Sequence, residues 1–252
     1  MRTDDDVRAG LATAVVGRDG SLAAADRLCH ACVEFLEVDG AAITLMLGGV
    51  SRGTYGSSSD LSKQLDEFQF TFGEGPSRDA VRDSAPVHAA DLRDAEEQRW
   101  PAFAPAALDA GVSAVFSLPI LIAHETVGAL DLFRHTPGPL DADALSAGLL
   151  AADLAVLPIL SLMNESTGWP TEGDDEDAWT QLASMERVEV YQATGMLMAR
   201  LEVGPAEALL RLRARAFSEN QTASQVAWSI VEKRMSLESD EAWWPEAGRS
   251  AR

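Results

Sequence analysis

Between residues 186 and 234, apolar positions recur every three or four residues in three successive runs. In the first run, Val188, Tyr191, Gly195 and Met198 form one row, and Val190, Ala193, Leu197 and Leu201 form a second beside it. Two adjacent rows make a wide apolar face, which suits a helix buried against several partners. Gly204-Pro205 then stops the pattern and restarts it, because proline at the first helical position lacks only an N–H that would be orphaned there. A second helix is predicted from about Ala206 to Phe217, with Leu209, Leu212 and Ala216 on one side. Thr222 and Gln225 have the spacing of a capping box, and Val226, Ala227, Ile230 and Val231 face inward on a third helix. Three helices with two tight connections predict a small all-α bundle.

Upstream, the pattern predicts a mixed domain over residues 21–165. Residues 21–38 read as a helix, with Leu22, Ala25, Leu28, Cys29, Cys32, Val33 and Leu36 spaced for one buried face. Asp39-Gly40 turns into an apolar strand over 41–47, and Gly48-Gly49 with the Ser/Gly-rich stretch 51–59 read as a hairpin and loop. Phe68, Phe70 and Phe72 alternate with polar residues, as a half-buried strand demands. The turn Gly73-Glu74-Gly75-Pro76 follows, with a helix from near Ser77. Two late strands, 114–122 and 126–133, precede a closing helix over 141–164 that is kinked at Pro158. Residues 1–20 are expected to be a flexible segment, 166–177 an acidic linker, 178–236 the helical module and 237–252 a tail.

Charge divides the chain in the same place. The net charge is −20; residues 1–179 hold 11 basic and 30 acidic residues, whereas residues 180–235 hold 7 and 6, a net of +1. The helical module is the part a polyanion would tolerate. Within it, Arg211 and Arg215 share a helix face and Arg213 points elsewhere; this is either a solvated surface with glutamate partners or a set of phosphate contacts.

Other chemistry is sparse. The acidic N-terminus is unlike a secretory signal. The apolar stretch 144–163 is long enough for a membrane span, but it holds Asp153, Pro158 and two serines and lacks flanking positive charge, so a buried or dimerising helix is expected. Two cysteines make no disulfide framework, which points to the cytoplasm. Cys29-His30-Ala31-Cys32 has no second cysteine pair to complete a metal site, and buried structural thiols are expected. With no phosphate-binding loop, nucleophile elbow or HExxH, neither an enzyme nor a metal is expected.

The helical module resembles the ANTAR domain, an RNA-binding module of bacterial antitermination regulators. The residues that carry the likeness are Gln192-Ala193-Thr194-Gly195-Met196, Ala208, Leu212-Arg213, Ala216 and Val226-Ala227. Thr194 stands where that family usually has lysine, and Ala223 where leucine is common. The larger domain is similar to GAF domains of the kind that precede ANTAR modules in actinobacterial regulators, at GEGPSRDA (73–80), 99–120 and VGALDLFR (127–134). Members of that subgroup often have cysteine where Ser77 stands, which excludes thiol sensing there.

The resemblance implies an α+β fold, a GAF-like antiparallel sheet with flanking helices followed by the three-helix bundle. It also implies a dimeric regulator whose first domain senses a signal or dimerises the chain, and whose second grips hairpin pairs in leader RNA. The expected RNA contacts are Arg187, Arg200, Arg211, Arg213 and Arg215. Candidate pocket residues are Phe70, Phe72, Glu74, Arg78, Trp100, Phe103 and Phe116, although the aromatics need no ligand to explain them and filling the core is the favoured reading. No cofactor is expected beyond an unknown small ligand of the GAF-like domain. Two other readings stand beside this one. In one, a protein–protein adaptor has lost RNA binding. In the other, a DNA-binding factor uses the second and third helices, a role opposed by cations that lie only at the far end of the third, Lys233 and Arg234.

Overall fold

The computed structural model describes residues 3–17, 20–47, 50–167, 187–232 and 234. The chain divides into two compact units, Met1–Met185 and Glu186–Arg252. Nearly all of the expected linker and tail lies outside the described residues.

The first unit is built on a five-stranded antiparallel sheet with strand order β2-β1-β5-β4-β3. Its elements are α1 (Asp4–Ala14), α2 (Ser21–Phe35), β1 (Gly40–Leu47), β2 (Val50–Ser57), α3 (Asp60–Phe72), α4 (Pro76–Asp83), β3 (Val87–Ala89), α5 (Phe103–Asp109), β4 (Ala114–Ile122), β5 (Glu125–Arg134), α6 (Ala142–Leu154) and α7 (Val156–Thr167). Leu28, Cys32, Phe116, Leu118, Leu130, Leu132 and Ile159 form the core between the sheet and α1, α2, α6 and α7. On the other face, Leu65, Ala80, Trp100, Phe103, Val115 and Phe133 form a second core beneath α3, α4 and α5. Since helices cover both faces, β4 is buried at seven consecutive positions, which explains its unbroken apolar run.

Four expectations change. The N-terminal segment is not flexible throughout: residues 4–14 form a helix. Thr3 and Asp6 make a capping box, three aspartates favour the first turn electrostatically, and Leu11 is fully buried. The alternating phenylalanines belong to α3 rather than to a strand. Ser59 caps that helix by accepting the Ser62 N–H at 3.2 Å, and Leu61, Leu65, Phe68 and Phe72 recur at helical spacing against the second core. The 3.6-residue period thus wins over a two-residue alternation confined to the aromatics.

Residues 50–57 are a strand rather than a loop. Their small residues admit α2, since a Cβ on Gly56 would lie 2.7 Å from the Ala25 backbone. The closing helix breaks at Ala155, three residues before Pro158, whose ring disfavours the carbonyl position of Leu154. The Tyr55 hydroxyl donates to the Pro158 carbonyl at 2.6 Å. By length and composition Ala142–Leu162 could cross a membrane, yet Ala151, Ala152, Ala155, Ile159 and Leu162 pack into the first core.

The second unit is the expected bundle: α8 (Val188–Leu201), α9 (Pro205–Ser218) and α10 (Ala223–Val231). The Thr222–Gln225 capping box is formed reciprocally, at 2.9 and 3.2 Å. Val190, Ala193, Leu197, Ala208, Leu212, Ala216, Ala223, Val226, Ala227 and Ile230 are buried, and their many alanines let the helices approach closely. Of the two apolar rows on α8 only the second is inside, down to Leu197; Tyr191 and Gly195 of the first are exposed.

Candidate functional site

In the first unit, polar chemistry converges where α3 and α4 meet the sheet. The α3–α4 connection is Gly73-Glu74-Gly75, with Gly73 at φ +71° and Gly75 at φ +139°, backbone that glycine adopts without strain. A Cβ at Gly75 would lie 2.4 Å from Gln69 Oε1, so the turn also needs glycine for space. Gln69, buried near the end of α3, then holds the start of α4. The Ser77 N–H donates to Gln69 Oε1 at 2.8 Å, and Gln69 Nε2 donates to Ser77 Oγ at 2.6 Å.

From the sheet, Asp131 completes the cluster. Its carboxylate accepts from Gln69 Nε2 at 3.1 Å and from the hydroxyls of Ser77 and Ser117. One α3 turn earlier, the buried Asp66 accepts from the hydroxyls of Thr44 at 2.8 Å and Thr54 at 2.6 Å. Asp131 keeps partial exposure, and a cavity of about 10 Å³ adjoins it, lined also by Gln69, Ser117, Phe103 and Phe133. That is room for about one water. Burial raises the Asp131 carboxyl from 3.8 to about 6; the Ser117, Ser77 and Gln69 hydrogen bonds oppose the rise and the charge of Asp66 adds to it.

The predicted pocket residues divide accordingly. Phe103 lines the small cavity. Phe116 lies on the opposite sheet face, in the first core, because neighbouring strand residues alternate. The two therefore cannot share a pocket. Trp100 is core, with Nε1 donating to Asp79 Oδ2 at 2.9 Å. Phe70 is buried on α3, and Phe72 stacks on Phe68 with ring centroids 6.0 Å apart. Glu74 is structural: its carboxylate takes the N–H groups of Ala102 and Phe103 at 2.7 and 3.0 Å, capping the start of α5. Arg78 is half-buried, and burial lowers its pKa. Gln69, Ser117, Asp66 and Asp131 were not foreseen. The available signal was Asp131 itself, an acidic residue between buried leucines in VGALDLFR.

Larger clefts lie elsewhere. One of about 370 Å³ runs between α1, α2 and α6, with Asp4, Glu34, Glu37, Asp141 and Asp143 along it, and it brings no reactive groups together. Cys29 and Cys32 are fully buried and reduced; burial pushes the Cys32 thiol up to about 12 and raises Cys29 as well, so neither is a nucleophile at neutral pH.

On the second unit, the five predicted arginines do not form one patch. Arg187 is only 3% exposed, at the head of α8 in left-handed backbone, and is no surface contact. Arg200 is exposed at the end of α8. Arg211 pairs with Glu207 at 2.7 Å and Arg215 with Glu219 at 2.5 Å, each one helical turn away. Arg213, half-exposed, lies on the other flank of α9 beside the exposed Leu210 and Phe217. Thr194, at the usual lysine position, is turned toward the bundle: it is 9% exposed, and its hydroxyl donates to the Val190 carbonyl at 2.6 Å.

A family model described as "GAF domain" matches residues 23–157, and one described as "ANTAR domain" matches residues 178–231. Among solved structures, the chain is similar to the GAF domain of an Acinetobacter phosphoenolpyruvate-protein phosphotransferase, with TM-score 0.51 and 13% identity over 66% of this chain and 99% of that one. It is also similar to the GAF domain of a phosphoenolpyruvate-protein phosphotransferase from Coxiella burnetii, with TM-score 0.51 and 17% identity over 65% and 96% of the two chains. At such identities the likeness concerns the fold alone. No curated protein matches the chain. With a GAF model spanning more than half of its length and an ANTAR model on its helical module, the chain belongs to the GAF-domain family and carries an ANTAR domain after the GAF domain.

Proposed function

We propose that the chain is a dimeric, signal-responsive antitermination regulator whose ANTAR bundle binds paired hairpins in nascent leader RNA. The observation that carries this reading is the ANTAR match on the one part of the chain that is not strongly acidic. Arg200, Arg211, Arg213 and Arg215 supply the phosphate contacts, and unpaired loop bases supply sequence preference. The glutamate partners of Arg211 and Arg215 do not forbid this role. Both pairs are partly exposed one-turn helix pairs, and pairs of that kind are worth roughly 0–1 kcal/mol, so a phosphate can displace the carboxylate. The GAF domain receives the signal.

The test is binding of the full chain to a two-hairpin RNA from its own operon leader, at two salt concentrations, beside an Arg211→Ala/Arg215→Ala variant. Tight, salt-dependent binding that weakens in the variant supports the reading. A second reading, a protein–protein adaptor, is favoured by the exposed Tyr191, Leu210, Phe217 and Trp228 on so small a bundle. Failure of every leader RNA to bind at low salt selects the adaptor.

A further inference from the structure

The bundle does not use the first apolar row of α8. The residues that α8 buries, Val190, Ala193, Thr194 and Leu197, lie along one side of the helix. Tyr191, Gln192 and Gly195 are exposed on the other side, with Tyr191 and Gly195 one turn apart. Among the described residues of α8, Tyr191 is the one large apolar side chain left exposed, at 46%.

Gly195 is the anomaly on this face. Glycine inside a helix costs stability relative to alanine, and no contact within the fold requires it here. Its φ is not positive, and a Cβ at that position would meet no atom within 4 Å. What the missing side chain provides is open space beside Tyr191. Side chains on a helix lean back toward its N-terminus, so the residue one turn after Tyr191 is the one that would cover its ring. With glycine there, that flank of the ring stays open. Among the described residues, neither another ring nor a cation stacks on it. Gln192, exposed beside it, brings an amide that both donates and accepts.

An open ring face, a neighbouring amide and clearance down to the helix backbone suit an unpaired nucleobase, which needs a platform, a partner for its edge and room for its own thickness. A protein partner would find little apolar surface here, because the other exposed apolar groups of the bundle, Leu210, Phe217 and Trp228, stand on α9 and α10. Glu189, the one carboxylate within α8, is two positions from Tyr191 and therefore turned to a different face.

We infer that this face of α8 is the base-reading surface of the module: an unpaired loop base stacks on Tyr191 above Gly195, and Gln192 bonds its edge. The inference rests on the RNA-binding reading. It adds the contact that supplies sequence preference, while the arginines serve the phosphates.

The experiment titrates the full chain into the two-hairpin leader RNA carrying 2-aminopurine at a single unpaired loop position, with each such position tried in turn. Quenching at one position by the wild-type protein is expected. Tyr191→Leu should lose that quenching and bind roughly tenfold more weakly, the loss of one base–aromatic stack, whereas Tyr191→Phe should retain the affinity. The salt dependence of Tyr191→Leu should match wild type, because no phosphate contact is removed; Arg211→Ala/Arg215→Ala should flatten it. Gly195→Ala should bind more weakly while unfolding at a higher temperature, an opposition that a purely structural role cannot produce. Gln192→Leu should narrow the difference in affinity between the native loop base and its replacements. Salt-dependent RNA binding that is unchanged in both Tyr191→Leu and Gly195→Ala overturns the inference and leaves the RNA-binding reading standing. Failure of the wild type to bind any leader RNA at low salt overturns that reading, and this inference with it.

Discussion

Gln69 holds Ser77 at both ends, accepting its N–H at 2.8 Å and donating to its hydroxyl at 2.6 Å. One side chain thereby satisfies an orphan N–H at the start of α4 and fixes the hydroxyl that reaches Asp131. Gln69→Leu keeps the approximate volume but strips both bonds. Because it leaves a buried N–H and hydroxyl short of partners, a loss of about 2–4 kcal/mol is expected in urea unfolding of the GAF unit.

Stability should depend on pH through Asp131. Its folded pKa is raised from 3.8 to about 6, so its contribution is fully present below the unfolded value and is lost as pH rises through about 6. The loss is at most about 3 kcal/mol, two units at 1.36 kcal/mol each, and residual solvent access reduces it. Denaturation at several pH values should show Asp131→Asn gaining on wild type as pH climbs from about 4 to 7. A constant difference between the two proteins would contradict the assignment.

Gly75 is required twice over. Alanine there meets φ +139° and places its Cβ 2.4 Å from Gln69 Oε1, so Gly75→Ala should cost about 2–4 kcal/mol and displace Gln69. Gly195→Ala is the contrast: nothing lies within 4 Å of its Cβ position, and helix propensity alone should stabilise the bundle by up to about 1 kcal/mol. Thermal unfolding of both variants gives the comparison.

Thr194→Lys should not create an RNA grip. The side chain it replaces points into the bundle, so a lysine must thread its stem out past Val190 and Leu197. Lower bundle stability, by about 1–3 kcal/mol, is expected with little gain in RNA affinity. A large gain in a filter-binding titration would show that the site lies closer to the nucleic acid than the monomer fold suggests.

Glu207→Gln and Glu219→Gln should change stability by about 0.5 kcal/mol or less each, as partly exposed one-turn helix pairs do. On the RNA-binding reading both should tighten the complex and steepen its salt dependence, because each substitution removes one carboxylate that competes with phosphate for Arg211 or Arg215. Affinity at two salt concentrations checks this.

Local rules carried much of the fold. Helical spacing, Gly204-Pro205 and the Thr222–Gln225 box defined the bundle, because each acts within a few residues and needs no distant partner. The apolar runs of β1, β4 and β5 were likewise legible. Two signals misled. Phe68, Phe70 and Phe72 alternate over too short a window to set against the Leu61–Phe72 helical period, and Thr3–Asp6 capping was hidden in a segment judged by its charge.

The sequence by itself determined the two-domain plan, the family likeness and the absence of recognisable catalytic motifs, because composition, periodicity and motif spacing are one-dimensional properties. Only the tertiary structure decided which polar residues meet. Asp131 and Ser77 are 54 positions apart, and Asp131 and Gln69 are 62 apart. No periodicity spans such intervals; their contact follows from packing the α3–α4 hairpin onto the sheet. The same holds for Arg187 and Thr194, whose types suit a surface and whose burial no local pattern records.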